Sequence, residues 1–266
     1  MSRSPAGLAA RWPADPVRTG EAEVALRVVG PRQVILLIDG MESSFHDLDD
    51  PAHLEFEYMQ HIDALVGATR GDGTPIRALH LGGAGCSLAT AWDALRPGSM
   101  QLAVEWDGEL ARLAREWFPL PRSPRLRIRN GDARAALDSF PQGRWDVIVR
   151  DVFVRAQVPA HLCDQGAARS ALHALREDGI YAVNLADSPP LVEARAEARV
   201  LASVFEHVVM VVDPAIIRGR RYGNVVLGAS RRPIDDVDLA RRVRTLPLPA
   251  RVVAGSALAR FAGSSG

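Results

Sequence analysis

The chain has 266 residues, and its 32 basic and 32 acidic side chains cancel to a formal charge of zero, which gives no electrostatic drive toward nucleic acid. Every one of those basic residues is arginine; without lysine there is no Walker-A or protein-kinase phosphate clamp and no Schiff-base chemistry, because arginine stays protonated and is a poor nucleophile. The hydrophobic fraction is 47%, enough for a sizeable core, yet no run approaches the roughly 18 apolar residues of a membrane span. Residues 1–20 are polar and Pro-containing and read as a flexible arm without the apolar centre of a secretory signal. Two strands are expected next, Glu23–Val29 and Gln33–Asp39, with Gly30-Pro31-Arg32 as the turn. Asp47–Pro51 reads as a helix start, Asp50 as N-cap and Pro51 at the first position, leading into HLEFEYMQHIDALVG. Residues 21–70 are thus a small β-rich N-terminal domain plus a helix.

From there to 232 the pattern alternates. Strands are expected at 76–83, 99–107, 125–129, 145–153, 179–187, 208–213 and 223–230, with helices between all but the last two. Such alternation builds βαβ units and a mainly parallel sheet, the Rossmann type. The last two strands leave no room for a helix, so they should pair antiparallel. Residues 233–266 are Arg-, Pro- and Ala-rich and read as a C-terminal tail.

Four features fall at the carboxyl ends of successive strands, where open α/β sheets bind ligands. Gly82-Gly83-Ala84-Gly85 is a glycine turn ahead of a helix N-terminus, suited to close approach of a ligand to the backbone. Glu105 ends the second of these strands, about 20 residues on, where an acid accepts the hydroxyl protons of a ribose. Asp132, followed by Ala133 in NGDA, ends the third. Asp151 ends the fourth. The ordered set points to an S-adenosyl-type nucleoside site, with a nicotinamide site as the other reading.

The stretches VILLIDG (34–40), FEYM (56–59), HLGGAG, VEWDGEL, NGDA, WDVIVRD, EDGIYAVN and YGNVVLGAS stand in the order of the polyamine aminopropyltransferases. Over residues 23–230 the chain resembles spermidine synthase and its relatives. DLDDPAHLEFEYM is similar in particular to the spermidine synthase-like proteins of high-GC bacteria, which agrees with the lysine-free composition. The resemblance implies an α/β fold, a methyltransferase-like Rossmann domain behind a small N-terminal β-rich domain. It implies decarboxylated S-adenosylmethionine, or S-adenosylmethionine, as co-substrate, held by Gly82, Gly83, Gly85, Glu105 at the ribose, and Asp132 with Ala133 at the adenine end. Asp151 would be the general base that takes the proton of an attacking small-molecule amine. No metal is implied, and a homodimer is the expected assembly.

The chain departs from the family pattern on the amine side. Ala84 stands where an aspartate anchors the aminopropyl end, and Val154 where a second acid completes a D-x-x-D pair. Phe56-Glu57 replaces a Tyr-His pair, and Pro214-Ala215-Ile216 a Pro-x-Tyr-like segment. Glu42, Glu57 and Asp187 are the candidates to restore negative charge. A small-molecule methyltransferase and a non-catalytic family member remain as alternatives on the same fold. Among other residues, His80 reads as packed in a strand. Cys86 reads as packing in the glycine loop, and with Cys163 it makes neither a disulfide framework nor a zinc set, as suits a cytoplasmic protein. Arg218–Arg221 reads as a solvated loop or a lid, and Trp106 as a border of the adenosine.

Overall fold

A computed structural model describes residues 12–155 and 157–263. Four strands open it: β1 (Val17–Arg18), β2 (Glu23–Gly30), β3 (Gln33–Ile38) and β4 (Met41–Asp47), an antiparallel meander in chain order. The sequence reading missed β4 because MESSFHD lacks an apolar alternation; it buries Ser44, Phe45 and His46 instead. Its hairpin turns on Asp39 and Gly40, both at positive φ (49° and 79°), as a two-residue turn between twisted strands requires. Asp47–Pro51 does not start a helix. The Asp47 carboxylate accepts the N–H groups of Asp49 and Asp50, so the segment is a side-chain-closed turn. Helix α1 (Glu57–Arg70) begins only after Phe56.

The second sheet has eight strands. In chain order the elements are β5 (Arg77–Leu81), α2 (Ser87–Leu95), β6 (Met100–Glu105), α3 (Gly108–Trp117), β7 (Leu126–Asn130), α4 (Ala133–Asp138) and β8 (Trp145–Arg150). They continue through α5 (Gln165–Ala174), β9 (Leu175–Asp187), α6 (Val192–Ala202), β10 (His207–Val212), α7 (Pro214–Ile217) and β11 (Gly223–Ser230). The chain closes with α8 (Asp236–Arg244), β12 (Arg251–Ala254) and α9 (Gly255–Ala262). The spatial order is β12-β10-β11-β9-β8-β5-β6-β7. Strands β5 to β9 run parallel, and β11 inserts antiparallel between β9 and β10. The expected antiparallel pair of the last two sequence-read strands is therefore present, and β10 points the same way as β9.

Three expectations change. The C-terminal segment is not a tail: α8, β12 and α9 fold onto the sheet, with β12 pairing β10 and Leu239, Val243, Leu258 and Phe261 buried. The strand expected at 179–187 starts earlier, at Leu175 directly after α5, because Leu175 already pairs with Trp145 of β8. From Trp12 onward the arm is packed, with the Trp12 indole donating to the Trp117 carbonyl at 3.0 Å; the flexible-arm expectation for residues 1–11 lies outside the described residues.

Both faces of the large sheet are covered. Helices α4, α5, α6 and α9 bury one apolar cluster, and α1, α2 and α8 another. The meander packs Val24, Val34 and Leu36 against α2 and α3. Gly228 on β11 lets α1 come close: a Cβ there would stand 2.6 Å from a Leu65 methyl carbon. Among the described residues no helix is long and apolar enough to cross a membrane.

Candidate functional site

The parallel strands deliver Gly82, Glu105, Asp151 and Asp187 to one rim of the sheet, and β10 delivers Asp213 there too. The glycine loop is locked from two sides. Gly82 has φ 86°, and a Cβ on it would lie 2.1 Å from the Asp151 carbonyl oxygen, so only glycine lets the ends of β5 and β8 touch. Gly85 is gripped by β4: its N–H donates to Ser44 Oγ at 3.0 Å and its carbonyl bonds His46 Nε2 at 2.8 Å. His46 is itself stacked on Phe118, with ring centroids 4.0 Å apart. The N-terminal meander is therefore part of the loop's support.

Glu105 turns back onto the same loop. Its Oε2 accepts the N–H groups of Gly83 and Ala84 at 3.0 and 2.8 Å, and Oε1 accepts that of Asp107 at 3.0 Å. Asp132 caps α4 through the Ala135 N–H at 2.8 Å, and its other oxygen lies 3.2 Å from His161 Nε2. Burial pushes its carboxyl up, but the Ala135 N–H and His161 outweigh burial and hold it below the usual range. Ala133 begins α4 beside it. Trp106 is 59% exposed, next to Glu105. Cys86 is no nucleophile, since burial and the Glu105 charge push its thiol up to about 12.

Asp151 is partly accessible and has two donors. Tyr58 Oη–H donates to Oδ2 at 3.0 Å, and Asn184 Nδ2 donates to Oδ1 at 2.8 Å. Desolvation raises its carboxyl above the usual range, although both donors and Arg150 pull the other way. Asp151 also lines a small cleft of about 40 Å³, partly open to solvent, between the glycine loop, Ser43 and Ser44 of β4, and Met59 of α1. His80 sits beneath, bonded to Gln101 and pushed down to about 4 by burial, so it is a neutral packed side chain.

Glu42, Glu57 and Asp187 do not line this cavity. Glu42 pairs with Arg27, Glu57 with Arg221, and Asp187 with the N–H groups of Ser188 and Ala194. Sequence reasoning missed Tyr58, Asn184, Ser44 and His46. Tyr58 and Asn184 stand inside two of the quoted stretches, FEYM and EDGIYAVN, so a signal existed for them. Nothing local marks Ser44 or His46, whose roles depend on the meander docking. Among the described residues no group of three His, Cys, Asp or Glu is arranged to hold a metal ion.

No family profile matches the chain. The polyamine aminopropyltransferase of Neisseria meningitidis serogroup A is 29% identical over 171 residues, 64% of each chain. A spermidine synthase solved in complex with the transition state analogue AdoDATO shares the fold at 18% identity, with a TM-score of 0.63 over 88% of this chain and 79% of that one. A probable spermidine synthase from Corynebacterium glutamicum is 32% identical and aligns over 96% of this chain and 97% of its own, with a TM-score of 0.88. The chain belongs to the spermidine synthase-like family. Its architecture is that family's: a methyltransferase-like Rossmann domain preceded by an antiparallel β domain. The match spans about 64% of the length of the Neisseria relative.

Proposed function

We propose that this spermidine synthase-like protein transfers an aminopropyl group from decarboxylated S-adenosylmethionine to a small amine. The observation that carries the reading is Asp151: a carboxylate at the strand end, held by Tyr58 and Asn184, kept basic by burial, and facing the cavity beside the glycine loop. An ammonium has no lone pair, so the acceptor must first give up a proton, and Asp151 is placed to take it. The free amine nitrogen then attacks the aminopropyl carbon next to sulfur. The C–N bond forms as the C–S bond breaks, and the sulfur keeps the electron pair and leaves as neutral methylthioadenosine. That a spermidine synthase of the same fold is solved in complex with the transition state analogue AdoDATO supports the reading.

Glu105 and Asp132 would hold the nucleoside. A carboxylate offers about four acceptor sites, and three N–H groups already use those of Glu105. Binding both ribose hydroxyls therefore requires Glu105 to release a loop N–H, which couples nucleoside binding to the conformation of Gly83 and Ala84.

The test is calorimetry with decarboxylated S-adenosylmethionine, S-adenosylmethionine and methylthioadenosine, followed by mass spectrometry of products formed with amines. Tight binding of the decarboxylated form and a product heavier by one aminopropyl group are expected. No binding of any of the three nucleosides, or transfer of a methyl group instead, would overturn the reading.

A further inference from the structure

At the end of the sheet away from Gly82 and Asp151, the amino ends of β5 to β8 are left partly uncovered. Helix α4 has six residues, about 9 Å of axis, whereas the six residues of β6 extend about 20 Å. Coming down from the carboxyl rim, α4 therefore stops short, and the chain returns through Phe140 to Trp145 at the start of β8. What remains is a cavity of about 210 Å³, partly open to solvent. Strand register sets its floor. Arg77 pairs with Met100, and Leu102 with Arg127. Met100 and Leu102 are two residues apart and share a face, so cationic and apolar side chains alternate across β5, β6 and β7. Phe140 and Trp145 stand edge to face with centroids 5.1 Å apart, and the Arg144 guanidinium lies 5.5 Å from the indole centroid.

The charge around this cavity is of one sign. Arg77, Arg127 and Arg144 line it, and no Asp or Glu does. Among the described residues none of the three guanidiniums pairs with a carboxylate: Asp146, beside Trp145 in the chain, is taken by Arg70 and Arg176, and Asp93 by Arg125. Arg127 has a neutral partner, donating from Nε to Ser123 Oγ at 3.1 Å. Three like charges around one space repel one another, and an anion among them turns that repulsion into attraction. A guanidinium fork also matches the oxygens of a carboxylate or a phosphate. We propose that this cavity binds a small organic anion, its carboxylate or phosphate group held by Arg77, Arg127 and Arg144 and its apolar body set against Leu102, Phe140 and Trp145. The volume lies below the roughly 300–1,000 Å³ of drug-sized ligand pockets, which limits the occupant to about one ring. The site lies at the opposite rim from Asp151 and does not depend on the aminopropyl-transfer reading.

The experiment is calorimetry of the full chain at low ionic strength with benzoate, phenyl phosphate, inorganic phosphate and neutral benzamide. One-site binding of benzoate, phenyl phosphate or both is expected, and the tighter of the two identifies the head group as carboxylate or phosphate. Inorganic phosphate should bind about tenfold or more weakly than phenyl phosphate, for want of apolar contact, and benzamide about tenfold or more weakly than benzoate, for want of charge. Binding of neither organic anion overturns the proposal, as does benzamide binding as tightly as benzoate. Inorganic phosphate binding as tightly as phenyl phosphate overturns the apolar half of the site. The double variant Arg127→Gln with Arg144→Gln changes two exposed side chains and should weaken the organic anion about tenfold or more while the urea midpoint stays in place. Unchanged affinity in that variant would put the anion elsewhere and overturn the site. Saturating methylthioadenosine should leave the anion affinity as it was; displacement of the anion would assign it to the nucleoside site and overturn the proposal.

Discussion

Asp151 gathers the chemistry at the scale of single residues. Its basicity is the resultant of burial, which raises the carboxyl, and of the Tyr58 and Asn184 donors, which favour the charged form. Asp151→Asn keeps the shape but removes the proton acceptor, so aminopropyl transfer should fall about 10²-fold or more with methylthioadenosine binding retained; single-turnover rates and calorimetry measure the two separately. Tyr58→Phe deletes one donor to the charged form. The acid limb of the kcat/KM profile should therefore move to higher pH, and a limb that stays in place would show that the Tyr58 bond does not tune the base. Gly82 is held by contact rather than by chemistry. Gly82→Ala places a Cβ against the Asp151 carbonyl at a positive φ, and should cost at least about 2 kcal/mol in urea unfolding.

Elements position these residues through a few close approaches. The Gly228–Leu65 contact sets α1 low on the sheet, which brings Tyr58 to the end of β8. On the opposite side, Arg150 precedes Asp151 in β8 and is almost wholly buried. Its Nη1 donates to Glu197 of α6 at 2.9 Å and to the Leu162 carbonyl at 2.6 Å. This ion pair ties the segment after Asp151 to the helix behind the sheet. Glu197→Ala leaves the guanidinium buried without its partner and should destabilise the protein by about 3–5 kcal/mol. The double variant Arg150→Met with Glu197→Leu should recover much of that loss, because no unpaired charge remains. Chemical denaturation of the three proteins tests both statements.

At the scale of the whole molecule, three buried histidines are held neutral in separate elements. Burial pushes His46, under the meander, His61, on α1, and His80, in β5, each down to about 4 from 6.5. As pH falls, the unfolded chain takes up these protons first. The histidine contribution to stability is thus complete above about pH 6.5 and is lost as pH falls toward 4, with on the order of 3 kcal/mol at stake for each. The melting temperature should drop steeply between pH 6.5 and 4.5; a flat profile across that window would contradict the assignment. His61 carries a separate cost, since neither of its buried ring nitrogens has a hydrogen-bond partner.

Much of the fold was legible because it is written in local patterns. The alternation of strands and helices from 76 to 230, the antiparallel ending, and the strand-end positions of Gly82, Glu105, Asp132 and Asp151 follow from periodicity and turn chemistry, which act over a few residues. Strand β4 and the segment 233–263 were not legible in the same way. MESSFHD becomes a strand because its serine and histidine close on the Gly85 loop, and β12 forms because β10 offers a free edge. The sequence alone determined strands β5 to β11, their rim and the acids upon it, since hydrophobic pattern dictates which strands form and where they end. Tertiary structure decided what those acids do. Tyr58 and Asn184 meet at Asp151, and Arg221 joins Glu57 to Asp213 from 164 and 8 residues away, because charge pairing depends on distance in space, which no local pattern encodes.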